Sequence, residues 1–205
     1  MAPFHNIWLE ARSQGFGGSL DDYSLETKAA MAGRFQIHKN LPINYAYHFD
    51  AVLYGKYLRK LSEASGVKRI EGDVVSVQQS AETGFITSVT MASGAVVEGD
   101  LFLDCTGFRG LLIEQTLETG WEDWSHWLPT DRALAVQTKA NTPVTPYTKA
   151  AAHGEGWRWR IQLQNRVGNG MIYSSACLSD DEAEARLRGL LDEPMLNEPR
   201  VIKYS

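Results

Sequence analysis

The chain has little of what would commit it to several common classes of protein. Its two cysteines, Cys105 and Cys177, are too few and too far apart to frame a disulfide scaffold. No charged leader with an apolar stretch precedes Pro3, so a cytoplasmic setting is expected. Long hydrophobic runs are missing too. The stretch around Leu101–Leu103 is bounded by acids and falls far short of the roughly 20 residues that span a bilayer, so no membrane association is expected. No basic cluster is longer than Lys68-Arg69, and 20 basic residues against 25 acidic ones give a net charge of −5, which argues against nucleic acid as a partner. The five histidines are scattered without metal-ligand spacing, which argues against a metal site. The Gly-x-Ser-x-Gly of a nucleophile elbow is absent, as is the Gly-x-Gly-x-x-Gly of a dinucleotide turn. A small organic ligand is the partner these exclusions leave.

What is present is an ordinary globular composition, 43% hydrophobic and 22% charged, in enough residues for one sizeable core or one domain with part of another. Helical pieces are expected at Ile7–Arg12 and Asp21–Ala32, separated by Gly15-Phe-Gly-Gly18. A longer helix follows Tyr47-His-Phe-Asp50, with Val52, Leu53, Tyr57, Leu58 and Leu61 on one apolar stripe and Gly66 at its end. His48 is expected to help start this helix. Lys68–Val77 reads as a strand, and Gly84–Met91 with Ala95–Glu98 as a hairpin around Ser93-Gly94. Asp100–Asp104 reads as a short strand covered on both faces, followed by a helix over Phe108–Leu117. On that strand Cys105 is expected to behave as a small buried hydrophobe.

Past Trp121 aromatics and prolines change the texture. Ala133–Thr138, Trp157–Gln164 and Gly170–Ser174 read as strands of a second sheet. Ser179-Asp-Asp-Glu182 has capping-box spacing and opens a helix through Leu187, Leu190 and Leu191. The mixture predicts an α/β protein with two-layer α+β features.

Two segments could carry chemistry. In Asp104-Cys-Thr-Gly-Phe-Arg109 a glycine at a strand-to-helix turn lets backbone approach a ligand and leaves amides free for an anion. Asp104 can equally be a capping or turn-forming residue. In Gly156-Trp-Arg-Trp-Arg-Ile-Gln162 the spacing of Trp157 and Trp159 puts two indoles on one strand face, where they line something or fill a sheet core.

Together, and in this order, these segments closely resemble the flavin-dependent tryptophan halogenases. Trp157 and Trp159 match the signature Trp-x-Trp-x-Ile-Pro, with Gln162 in place of the proline, and Leu163-Gln-x-Arg-x-Gly-Asn-Gly170 with Tyr173 continue the pattern. The resemblance runs from roughly Pro3 to the last residues and implies part of an FAD-binding, Rossmann-like domain with a second, substrate-side sheet and helices. It divides the chain into a helical substrate-side segment at 1–45, part of the FAD-binding domain with a three-stranded β excursion at 46–120, and a substrate-side sheet and helix at 121–205. By resemblance, the Val74 backbone holds the adenine of FAD, although Val74 also reads as an ordinary buried strand valine. Asp104, Gly107 and Arg109 fall on the turn beside the flavin, and Trp157 and Trp159 line the passage between flavin and substrate. The implied reaction takes reduced FAD from a separate flavin reductase, with oxygen and a halide, and delivers hypohalous acid to tryptophan, indole or a similar electron-rich arene. The family's lysine and glutamate are expected before and after this chain, so no catalytic residue is expected within it and the fragment alone is expected to be inactive. An FAD-dependent aromatic monooxygenase of the same fold, or a flavin- or arene-binding fragment without turnover, remain open alternatives.

Overall fold

The structure, a computed structural model, describes residues 3–40, 43–140 and 143–204. The chain forms two compact units, one from Met1–Asp50 with Thr130–Lys203 and one from Ala51–Pro129 with the terminal Tyr204–Ser205.

The first unit is built on a five-stranded antiparallel sheet. Its strands are β4 (Arg132–Lys139), β5 (Lys149–His153), β6 (Gly156–Gln162), β7 (Arg166–Tyr173) and β8 (Arg200–Lys203), in spatial order β5-β6-β7-β4-β8. Leu134, Val136, Met171 and Tyr173 alternate onto one face, where α4 (Asp180–Arg188) covers them with Ala183 and Leu187. These residues are essentially dry, and each buried Leu or Met contributes roughly 1.5–3 kcal/mol. The capping box at Ser179 forms as expected, the Ser179 hydroxyl accepting from the Glu182 amide while Glu182 reaches back to the Ser179 amide. Regular helix stops at Arg188, short of the expected Leu190 and Leu191, because the next turn tightens to Leu190–Leu187 and Leu191–Arg188 bonds.

Two helices precede the sheet in this unit: α1 (Phe4–Ser13) and α2 (Leu25–Met31). The helix expected over Asp21–Ala32 is split at Ser24, which is extended and caps α2 by accepting from the Thr27 amide at 3.1 Å.

The second unit holds α3 (Ala51–Ala64) and a three-stranded antiparallel sheet of β1 (Val74–Gln79), β2 (Ile86–Met91) and β3 (Val96–Glu98) in that order, which is the expected β excursion. Helix α3 ends as expected in the turn at Gly66, with the Val67 amide bonded to the Ser62 carbonyl. Its apolar stripe is not a core, since Val52, Leu53, Tyr57, Leu58 and Leu61 are between 41% and 64% exposed.

Four expectations are corrected here. The strand expected over Lys68–Val77 begins only at Val74, where pairing with β2 starts. Asp100–Asp104 is not a strand: no described segment pairs with it, and Leu101 and Leu103 lie about 80% exposed. With the strand gone, Cys105 is exposed rather than buried. Phe108–Leu117 is not a regular helix, because a 3₁₀ turn at Gly107–Arg109 gives way to wide turns such as Gln115–Gly110 and Leu117–Leu112. No helix among the described residues is long and apolar enough to cross a membrane.

Candidate active site

In the first unit, β6 carries Trp157 and Trp159 on the sheet face opposite α4. Across the ladders Trp157 lies between Ala152 of β5 and Ile172 of β7, and Trp159 between Ala150 of β5 and Gly170 of β7. The ring centroids lie 5.8 Å apart, tilted by 52°, within the range of favourable aromatic pairs. Trp159 rests so closely on Gly170 that a Cβ there would run into its indole. Trp157 stays 43% exposed, so the pair forms an aromatic surface rather than a sheet core.

Below the indoles β6 ends at Gln162, which is 2% exposed. Its Oε1 accepts from the Thr145 amide at 3.1 Å, and its carbonyl lies 3.0 Å from Nδ1 of His48. A carbonyl only accepts, so Nδ1 carries the proton, and in the neutral ring Nε2 accepts from the Thr148 hydroxyl 3.1 Å away. His48 therefore binds the 43–50 segment to the sheet; its ring does not cap α3. Two residues on, Asp50 pairs with Arg166 of β7. His48, Thr145, Thr148 and Gln162 border a cleft of about 1360 Å³, walled also by Leu25, Phe35, Ile43, Tyr45 and Tyr147. The sequence drew no attention to this ring of contacts, since the partners lie up to 114 residues apart and only the unusual glutamine marks the place.

In the second unit, Val74 opens the edge strand β1. The Asp73 carbonyl accepts from the Ala92 amide at 2.8 Å, toward β2, so strand alternation turns the Val74 amide and carbonyl to the open edge. A ligand edge with a donor and an acceptor fits there. Asp104 organises the turn after it: Oδ1 accepts from the Thr106 amide and hydroxyl at 3.0 and 2.7 Å, Oδ2 from the Leu112 and Ile113 amides at 2.8 and 3.0 Å. The Thr106 hydroxyl and then the Ile113 amide hold the Asp104 carboxyl well below the ordinary carboxylate range. Gly107, at φ +66°, and the exposed Arg109 are carried on the outside of this turn. Among the described residues the Arg109 guanidinium bonds to no acidic group, which leaves it available to a phosphate.

The whole chain, residues 1–205, matches the family described as tryptophan halogenase. The chain belongs to the tryptophan halogenase family. It is 44% identical over 189 residues to the tryptophan 7-halogenase RebH of Lentzea aerocolonigenes, covering 88% of this chain and 36% of that protein. Among solved structures it resembles Xcc4156, a flavin-dependent halogenase from Xanthomonas campestris, at 49% identity and a TM-score of 0.92, covering 99% of this chain and 41% of that one. It likewise resembles BrvH, a flavin-dependent halogenase from Brevundimonas sp. BAL3, at 42% identity and a TM-score of 0.88, over 98% of this chain and 42% of that one. This halogenase-family chain thus spans about two fifths of the length of the relatives it matches.

Proposed function

We propose that the protein carrying this chain is a flavin-dependent halogenase acting on tryptophan, indole or a similar electron-rich arene, with reduced FAD delivered by a separate flavin reductase. The observation that carries this reading is the indole pair of β6, laid over Ala150, Ala152 and Gly170 on the sheet face opposite α4, in a chain that matches the halogenases throughout. The three relatives named above are all halogenases, and none is an aromatic hydroxylase.

FAD, when bound in its reduced form, supplies the reaction with dioxygen by which a halide is oxidised. The chain's own part is to bind and to steer. The outward amide and carbonyl of Val74 offer the adenine edge one donor and one acceptor. Asp104 holds the turn on which Gly107 is presented, and Arg109 meets a phosphate as a fixed cation. Trp157 and Trp159 wall the oxidant's path with apolar surface, exclude water from it and bring the electrophile to the arene rather than to bulk solvent.

The test is bromination of indole by the full-length protein, with FAD, NADH, a flavin reductase and bromide, and bromoindole read by mass spectrometry. Product formation should require bromide and fall by about tenfold or more in Trp159→Ala, since small displacements near a reacting centre cost that much. Absence of a halide-dependent product, or a Trp159→Ala protein as active as the parent, would end this reading.

A further inference from the structure

The departure of this chain from its family's signature falls at a buried, fully engaged position. Where the signature Trp-x-Trp-x-Ile-Pro ends in proline, β6 ends in Gln162, 2% exposed. Proline there would offer no N–H and no polar side chain. Burying a glutamine amide costs free energy unless it is bonded, so its placement has to be offset by what it holds. Gln162 holds two different segments. Its Oε1 takes the Thr145 amide at 3.1 Å, and its carbonyl takes His48 Nδ1 at 3.0 Å. His48 in turn meets the Thr148 hydroxyl at 3.1 Å, which closes a ring of contacts.

The ring has a geometric consequence. Thr145 and Thr148 are the two ends of one short strap that leads into β5, and the strap is fastened at both ends, one through the glutamine side chain and one through the histidine. The strap, His48 and Gln162 all line the 1360 Å³ cleft, whose remaining wall is largely apolar and aromatic. Apolar walls with a few fixed polar groups are the usual form of a small-molecule site. The same β5 supplies Ala150 and Ala152 beneath the indoles, so the strap connects the cleft wall to the aromatic surface of β6.

We infer that Gln162 is a positioning residue for an aromatic substrate in this cleft: by fastening the strap at Thr145, with His48 fastening it at Thr148, it sets the size of arene that the cleft holds. The identity of the ligand as an electron-rich arene rests on the halogenase reading, whereas the cleft and the ring of contacts do not. Releasing either end lets the wall move outward, so the grip on a small arene weakens more than the grip on a large one.

The experiment compares the full-length protein with Gln162→Met, Gln162→Glu and Thr148→Val. Methionine keeps length and bulk without the acceptor, and glutamate keeps an acceptor oxygen. Valine at Thr148 removes only a hydroxyl from an exposed position, so its effect is separable from loss of fold. Binding of indole and of 2-phenylindole is measured by equilibrium dialysis without FAD or halide, beside KM and kcat for their bromination. Gln162→Met and Thr148→Val should weaken indole binding and raise its KM by up to about tenfold, the scale of one lost hydrogen bond, with kcat and 2-phenylindole binding changed far less. Gln162→Glu should recover indole binding. Equal losses for both arenes, or unchanged indole binding in both Gln162→Met and Thr148→Val, would overturn the inference. Weakened indole binding in these variants, in a protein that brominates nothing, would instead sink the halogenase reading and leave the cleft assignment standing.

Discussion

At the scale of single residues, Asp104 and Gly170 each carry more of the local structure than their size suggests. Asp104 gathers four hydrogen bonds on one half-buried carboxylate, and its carboxyl is held below its ordinary range by the Thr106 hydroxyl first and the Ile113 amide next. The sign follows from linkage: a depressed folded value stabilises the turn above the unfolded value of 3.8 and ceases to do so as pH falls through the folded one. The Leu112 and Ile113 amides should therefore keep their hydrogen-exchange protection below pH 3.8 and lose it only in stronger acid, while Asp104→Asn should show weaker protection that no longer varies with pH in this window. At Gly170 the indole of Trp159 occupies the space of a side chain. Gly170→Ala should cost about 1–3 kcal/mol, as overpacked sites do, with a lower urea midpoint and altered near-ultraviolet dichroism from the displaced ring. Trp159 was legible as a position worth naming because a strand's period of two puts it on one face with Trp157, whereas Val74 was named through the resemblance alone. The engagement of His48 and Gln162 was not legible, because it depends on which distant segments the fold brings together.

At the scale of elements, the strands around the tryptophans could be read because β-branched and aromatic residues alternate there with polar ones. Strand β5, Lys149-Ala-Ala-Ala-His153, could not, since alanine runs have no strand preference and this one forms only because β6 pairs with it. The opposite error occurred at Asp100–Asp104, where an apolar run looks like a strand but finds no partner among the described residues. Local chemistry predicts an element well when the chemistry is itself local, as at the Ser179 capping box. Ser179→Ala should cost about 1 kcal/mol, measured by chemical denaturation, and free the first turn of α4 to exchange. The effect should reach the sheet, since Ala183 and Leu187 of that helix seal the face of Leu134 and Met171.

At the scale of the whole molecule, apolar burial is uneven. Nearly all of the buried hydrophobic residues belong to the first unit, and Met91 represents the second among them. Helix α3, by contrast, leaves its apolar stripe largely in solvent. Local opening free energies follow buried contacts. Hydrogen exchange on the 205-residue chain should find the slowest amides in β4 and β7 and fast exchange throughout α3; uniform protection across both units would contradict this ordering.

The ion pair between Asp50 and Arg166 joins positions 116 residues apart, with the second unit between them. During synthesis at about 5–20 residues per second, Asp50 is made roughly 6–23 seconds before its partner exists. The segment with Phe35, Ile43 and Tyr45 must wait that long for the strands that give it a wall to stand against. Residues made well before the sheet are thus secured only once it is complete, and through this interval their apolar side chains are ones a chaperone would protect.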